Sequence, residues 1–129
     1  MKTKFFLFLV MMLLPLAAVA EPTGDWIYQG KIGPYNVTLV FTDFGAGTNK
    51  KVGYYYYNDR PNTHFKLVEK SNMGDPHGYN RVVLYEYAPS GKHSGTFNGI
   101  VEFRGDGFHG TFTNSEGKKY KFNLHQNWD

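Results

Sequence analysis

The last third of the chain alternates. In "SGTFNGIVEFR", residues 94–104, Phe97, Val101 and Phe103 share one face with Gly99. The residues between them are polar, with Ile100 the exception. "GDG", Gly105 to Gly107, predicts a turn. Phe108 and Phe112 then point one way in the run Phe108 to Thr113, and "NSEG" predicts the next turn. Tyr120, Phe122 and Leu124 point one way in the run Lys118 to His125. Eight apolar side chains from three short runs thus face one interior, while Thr, Asn, Glu, Arg, His and Lys face away. A period of two fits strands with one buried and one solvated face, since helical apolar residues recur every three or four positions.

The earlier chain follows the same rule. "DWIYQGK", Asp25 to Lys31, is closed by Gly33 and Pro34. Tyr35, Val37, Leu39 and Phe41 share a face in the run Tyr35 to Thr42. "GAGTN" separates this run from Val52 to Asn58, and "NDRPN" separates that from Thr63 to Lys70. "SNMGDPHG", Ser71 to Gly78, is the longest expected connection; Tyr79 to Tyr87 and "APSGK" follow. No stretch shows helical periodicity with caps. Short connections make sequential neighbours pair. The predicted fold is all-β, an antiparallel eight-stranded up-and-down meander barrel, with a two-sheet sandwich as the alternative.

The start of the chain reads as a targeting segment. Lys2 and Lys4 precede an apolar run from Phe5 to Leu14, Pro15 ends it, and Ala18-Val19-Ala20 is a small-x-small cleavage pattern. Residues 1–20 are expected to be a signal peptide and 21–129 a single barrel domain, exported to the periplasm or secreted by a bacterium. Without Lys2 and Lys4, 12 of the 14 basic residues remain against all 11 acidic ones. That near-neutral balance argues against nucleic acid as a partner. The chain has no cysteine, which excludes disulfides, thiolate metal sites and a lipidated amino terminus. Lys119, Lys121 and Glu102 on the outward face argue against a membrane-embedded barrel.

Gly24-x-Trp26, Gly53-x-Tyr55 and the repeated Gly-x-Phe strands resemble the layout of small exported barrels such as avidins and other calycins. The order "GYYYY", "FKLVE", "VVLYEY", "GTFNG", "FHGTF", "YKFNL" is also similar to that of uncharacterised secreted bacterial β-rich domains. The resemblance implies architecture and a binding role. It implies no biotin site, because the polar loop residues that would define one are not identifiable.

Nucleophile and phosphate-loop motifs are missing, and no cofactor is expected. His77, His93, His109 and His125 recur every 16 residues, one per strand-and-turn unit. They are expected on the solvent face, with no metal. Glu69 and Glu86 are the best acid/base candidates and would serve a hydrolase. The favoured reading makes each a solvent-facing residue near Lys66, Lys70 or Arg81. A four-residue turn at 104–107 would set Phe103 opposite Phe108 and Glu102 opposite His109. The next turn would set His109 opposite Asn123 and Thr113 opposite Lys119. That polar ladder is expected to stabilise the sheet and to catalyse nothing.

Tyr54 to Tyr57 form an unbroken row. Alternation divides it into two pairs, so it is not one platform. Tyr55 and Tyr57 are expected outward, where they would join Trp26, Tyr28 and Tyr85 in a ligand-binding surface. Tyr supplies a ring with a polar tip, suited to a protein or glycan partner or an apolar molecule. The predicted function is a non-catalytic binding protein, with the hydrolase as the alternative.

Overall fold

The computed structural model describes residues 26–44, 46–102 and 107–126. The signal-peptide expectation, the inward placement of Phe103 and the tip of the "GDG" turn lie outside them. Eight strands follow in order: β1 (Trp26–Ile32), β2 (Tyr35–Phe41), β3 (Lys51–Tyr57), β4 (Phe65–Gly74), β5 (Tyr79–Tyr87), β6 (His93–Glu102), β7 (Gly107–Asn114) and β8 (Lys119–Gln126). Each pairs antiparallel with the next, and β1 pairs with β8, so the sheet closes into an up-and-down barrel. Closure rules out the two-sheet alternative.

Two local expectations are corrected. The connection after the fourth run is short, because β4 continues through Ser71, Asn72, Met73 and Gly74 opposite Val83, Val82, Arg81 and Asn80. A register shift between Glu69 and Ser71 absorbs Lys70 and lets the ladder resume. Asn80 Nδ2 donates to Asn72 Oδ1 at 2.6 Å, so residues that read as turn formers serve as cross-strand partners. The second correction concerns β6 and β7. His109 stands opposite Ile100, and Glu102 stands opposite Gly107. This register opposes Gly99 with Gly110 and Phe97 with Phe112, which closes the backbones where side chains are smallest. The pairings of His109 with Asn123 and of Thr113 with Lys119 are as expected.

The barrel interior is filled by rings. Phe97 lies 4.8 Å from Phe112 and 5.2 Å from Phe122, centroid to centroid, and Phe108 lies 4.8 Å from Phe122. Phe41 and Tyr28 extend this cluster, and Ile32, Leu39, Leu67, Leu84 and Leu124 are buried around it. Inward glycines make room for the rings. A Cβ on Gly95 would lie 2.5 Å from the Phe112 ring, and one on Gly99 would lie 2.7 Å from the Phe122 ring. Gly95-Thr96-Phe97 therefore places a ring and the space for another ring on the same face, whereas Gly110 of the second repeat allows close approach to the β6 backbone.

The tyrosine row splits opposite to expectation. Val37, Leu39 and Phe41 of β2 are buried, and they stand opposite Tyr57, Tyr55 and Gly53. Cross-strand partners share a face, so Tyr55 and Tyr57 turn inward. Tyr55 is fully buried, and Tyr57 is half-buried against the core. Tyr54 and Tyr56 face out, where both rings stack on His64 at 4.4 and 5.5 Å. They also stand opposite Val40 and Thr38, which are buried although they point away from the interior. The outward tyrosines thus stand beside a second buried strip, in which Thr38 donates to Asn58 Oδ1.

Gly53 allows β3 to approach β2 closely. A Cβ there would stand 1.9 Å from the Val40 carbonyl oxygen, whereas one on Gly74 would meet nothing closer than 3.9 Å. Gly53→Ala is expected to cost about 2–3 kcal/mol, since the backbones must separate. Gly74→Ala is expected to stay within about 0.5 kcal/mol of the parent. Urea unfolding midpoints of the two variants check both values.

Candidate functional site at the mouth of the barrel

In an up-and-down barrel, alternate connections gather at one end. The β1–β2, β3–β4, β5–β6 and β7–β8 connections share one end, which forms the mouth. Tyr35 opens β2 directly after the Gly33-Pro34 turn, and Tyr57 closes β3, so both rings reach this rim. They meet edge to face at 6.0 Å, and Tyr120 joins Tyr35 at 6.5 Å. Phe65, at the start of β4, packs edge-on against Tyr57 at 5.9 Å and stacks on Tyr55 at 5.2 Å.

The connection from β3 to β4 builds the polar side. Arg60 N donates to Tyr57 O at 2.8 Å, and Thr63 N donates to Arg60 O at 3.1 Å, giving two consecutive turns. Asn58 is tied to β2 twice: its N donates to Asn36 O at 3.0 Å, and its Oδ1 accepts from Thr38 Oγ1 at 2.8 Å. The loop therefore holds Asp59, Arg60 and Thr63 beside the rings. Together with Tyr35, Tyr57 and Phe65 they line an open cleft of about 350 Å³. A neighbouring depression of about 470 Å³ shares Tyr35, Tyr57 and Asp59. Burial raises the Tyr57 phenol above its ordinary pKa, Tyr35 and Tyr120 push the same way, and Arg60 opposes them. The phenol therefore stays neutral and keeps its proton to donate.

A buried carboxyl lies behind this rim. Glu86 is 3% exposed, and its Oε1 accepts from the Tyr55 hydroxyl. Its Oε2 accepts from Ser94 Oγ at 2.5 Å. Ser94 reaches it because the β5–β6 ladder skips that residue: Glu86 stands opposite Gly95 and Tyr87 opposite His93. Burial raises the Glu86 carboxyl to about 7, with the Ser94 hydrogen bond opposing. Hydroxyls donate or accept, so both bonds survive protonation.

The expectation that Glu69 and Glu86 face solvent is therefore overturned. Glu69 is also 3% exposed and accepts from Asn72 Nδ2 at 3.0 Å. Both follow the parity of their strands, Glu69 with Leu67 and Glu86 with Leu84. They occupy diagonal positions, because Leu67 stands opposite Glu86 and Glu69 opposite Leu84.

The expected ligand-binding residues are dispersed. Trp26 lies at the other end of the barrel, where it tilts against Phe44 at 6.1 Å and borders a smaller cleft of about 220 Å³. Tyr28 and Tyr55 belong to the core. Tyr85 lies on the outer wall, stacked on His93 at 4.1 Å. Only Tyr57 reaches the mouth. Sequence patterns did not single out Tyr35, Phe65, Asp59, Arg60 or Thr63 as site residues, although the parity of the meander assigns the "GP" and "NDRPN" turns to one end. The outer ladder forms in part: His109 Nε2 lies 2.9 Å from Glu102 Oε2, reached diagonally. Among the described residues no group of three His, Asp or Glu converges as a metal site. No family model, curated protein or solved structure matches this chain.

Two outcomes follow from these groups. The folded pKa of Glu86 lies above the unfolded one, so folding takes up a proton between them. Its stabilising contribution is complete below about 4.5 and is lost as pH rises through about 7. The difference corresponds to roughly 3 kcal/mol. Glu86→Gln keeps neutral bonding groups, so it is expected to remove that dependence and to raise the denaturation midpoint at pH 8. Chemical denaturation of both proteins from pH 4 to 8 measures this. His109→Ala, by contrast, breaks a half-exposed pair and is expected to cost at most about 1 kcal/mol, read from its melting temperature.

Proposed function

We propose that this is a small exported binding protein without a catalytic role, which engages a glycan through the aromatic mouth of its barrel. The observation that carries this reading is the division of space. Rings and aliphatic side chains fill the interior, while Tyr35, Tyr57 and Phe65 line an open cleft with polar groups beside them. An apolar floor with a few convergent polar groups suits a small ligand. A sugar ring offers apolar faces for stacking and equatorial hydroxyls for Asp59, Arg60 and Thr63. Avidin-like and lipocalin-like barrels of eight strands hold one small ligand inside. In this chain the filled interior favours the rim as the receiving surface.

The hydrolase reading would use Glu69 and Glu86. Both carboxyls are sealed beneath the barrel wall, which supports a structural role for them instead.

Titration with neutral oligosaccharides, cellohexaose and chitohexaose, tests the proposal by NMR. Saturable shifts of the Tyr35, Tyr57 and Phe65 ring signals are expected. Tyr35 is 53% exposed, so Tyr35→Ala should leave the fold intact and weaken binding about tenfold. Saturable binding that ignores this substitution places the ligand elsewhere.

A further inference from the structure

The outer faces of β4 and β5 combine cations with rings in an ordered row. Lys66 stands opposite Tyr87, and Val68 opposite Tyr85. Lys66 Nζ lies 5.3 Å from the Tyr87 centroid, and Lys70 Nζ lies 5.0 Å from the Tyr85 centroid. His93, from β6, stacks on Tyr85 at 4.1 Å and tilts against Tyr87 at 5.5 Å. Its Nε2 lies 2.8 Å from Gly95 O, which fixes the ring. Arg81 extends the row toward the far end and is exposed.

Neither strand places a carboxylate on this face. Glu69 is the only acid of β4 and Glu86 the only acid of β5, and both are buried inside. The one acid of β6, Glu102, is bound to His109. The outer faces of β4 and β5 therefore carry Lys66, Lys70 and Arg81 with no carboxylate of their own strands beside them; Glu102 of β6 lies diagonal to Arg81 only. Ring contacts restrain Lys66 and Lys70, and Lys70 Nζ also donates to Asn49 Oδ1, leaving further donors for an anion; this restraint lowers the side-chain entropy lost when an anion binds.

We propose that this wall binds an acidic polysaccharide, with Lys66 and Lys70 receiving its anionic groups. Lys66 Nζ lies over Tyr87 and Lys70 Nζ over Tyr85, so the two ammonium groups stand over successive outward rings of β5, a row that an extended polymer with a charge on each repeat can follow. A single-stranded nucleic acid fits less well. Its binding relies on exposed ring faces for base stacking. On this wall His93 and Lys70 flank Tyr85, and His93 and Lys66 flank Tyr87. The rings are left with edges and hydroxyls, which suit sugar hydroxyls. This inference is independent of the mouth and of the neutral sugars proposed there.

Affinity electrophoresis and calorimetry of the protein, purified as its host exports it, with polygalacturonate and with heparin test it. These probes separate carboxylate from sulfate recognition. Dextran is the neutral control, and poly(dT) is the nucleic-acid arm. Binding to at least one acidic polysaccharide is expected, weakening as salt rises, with none to dextran. The Lys66→Gln/Lys70→Gln double variant should lose at least tenfold in affinity. Lys119→Gln/Lys121→Gln, on β8, should retain it, as should Tyr35→Ala. The proposal is overturned if neither acidic polysaccharide binds, if poly(dT) binds more tightly than both, or if the β8 variant loses as much as the β4 variant. Circular dichroism of each variant confirms that the exchange of exposed lysines leaves the barrel folded.

Discussion

The ladder between β1 and β8 closes this molecule, and the remaining structure follows from that closure. Tyr28 to Ile32 pair with Gln126 to Phe122, so the first and last strands have partners on both sides. An open eight-stranded sheet would leave two edges with unpaired backbone groups, which are sites for association with other chains. Gly30 makes the seam possible: a Cβ there would lie 2.1 Å from the Asn123 carbonyl oxygen. Gly33 continues it, donating its N–H to Lys121 O at 2.7 Å. A chain without disulfides depends on such long-range pairing to hold its ends together.

Closure also sets how much space lies inside. Eight strands enclose a volume that side chains can just fill. In this chain the inward rings of Phe41, Phe97, Phe108, Phe112 and Phe122 take it, with inward glycines as their clearance. The polar exceptions are then informative. Glu86 is tolerated because Tyr55 and Ser94 supply hydroxyls to both oxygens, and because its pKa lies near neutrality. Burial of an unpaired ionised carboxylate would be far more costly than burial of a neutral acid. The strand irregularity that frees Ser94 is thus tied to the acid it serves. The same tyrosine that holds Glu86 stacks on Phe65, so the mouth rests on a hydrogen-bonded floor.

Alternation made the architecture legible in the sequence. Period-two runs with short connections specify a meander, and a meander of eight strands without a crossover closes readily. Details that depend on pairing were not legible. The row Tyr54 to Tyr57 carries no internal asymmetry, so only its partner β2, with Val37, Leu39 and Phe41, decides which pair turns in. The charge of Glu69 and Glu86 points them outward, whereas strand parity turns them inward, each two residues from an inward leucine. "SNMG" read as a loop because its composition is that of turns, whereas its ladder with β5 and the Asn72–Asn80 contact keep it extended. The mouth is not legible in the sequence for another reason. Its residues come from two connections far apart in sequence, and strand-by-strand patterns do not show which turns share an end.

The position of the acids links these observations. Net charge is a property of composition, but recognition depends on where each charge points. Two carboxyls of the central strands are inside the barrel, while Lys66, Lys70 and Arg81 of the same strands are outside. With both acids inward, Lys66 and Lys70 have no carboxylate of their own strands on their face. The burial of Glu69 and Glu86 therefore shapes the exterior as much as the core: it leaves the outer face of β4 and β5 to the cations of those strands. Aromatic residues divide in the same way. Phenylalanine supplies the bulk of the interior, whereas outward tyrosines hold histidine and lysine in place. A filled barrel of this kind offers a partner only its ends and its wall, and in this protein the ordered aromatic and charged groups are concentrated at those two places.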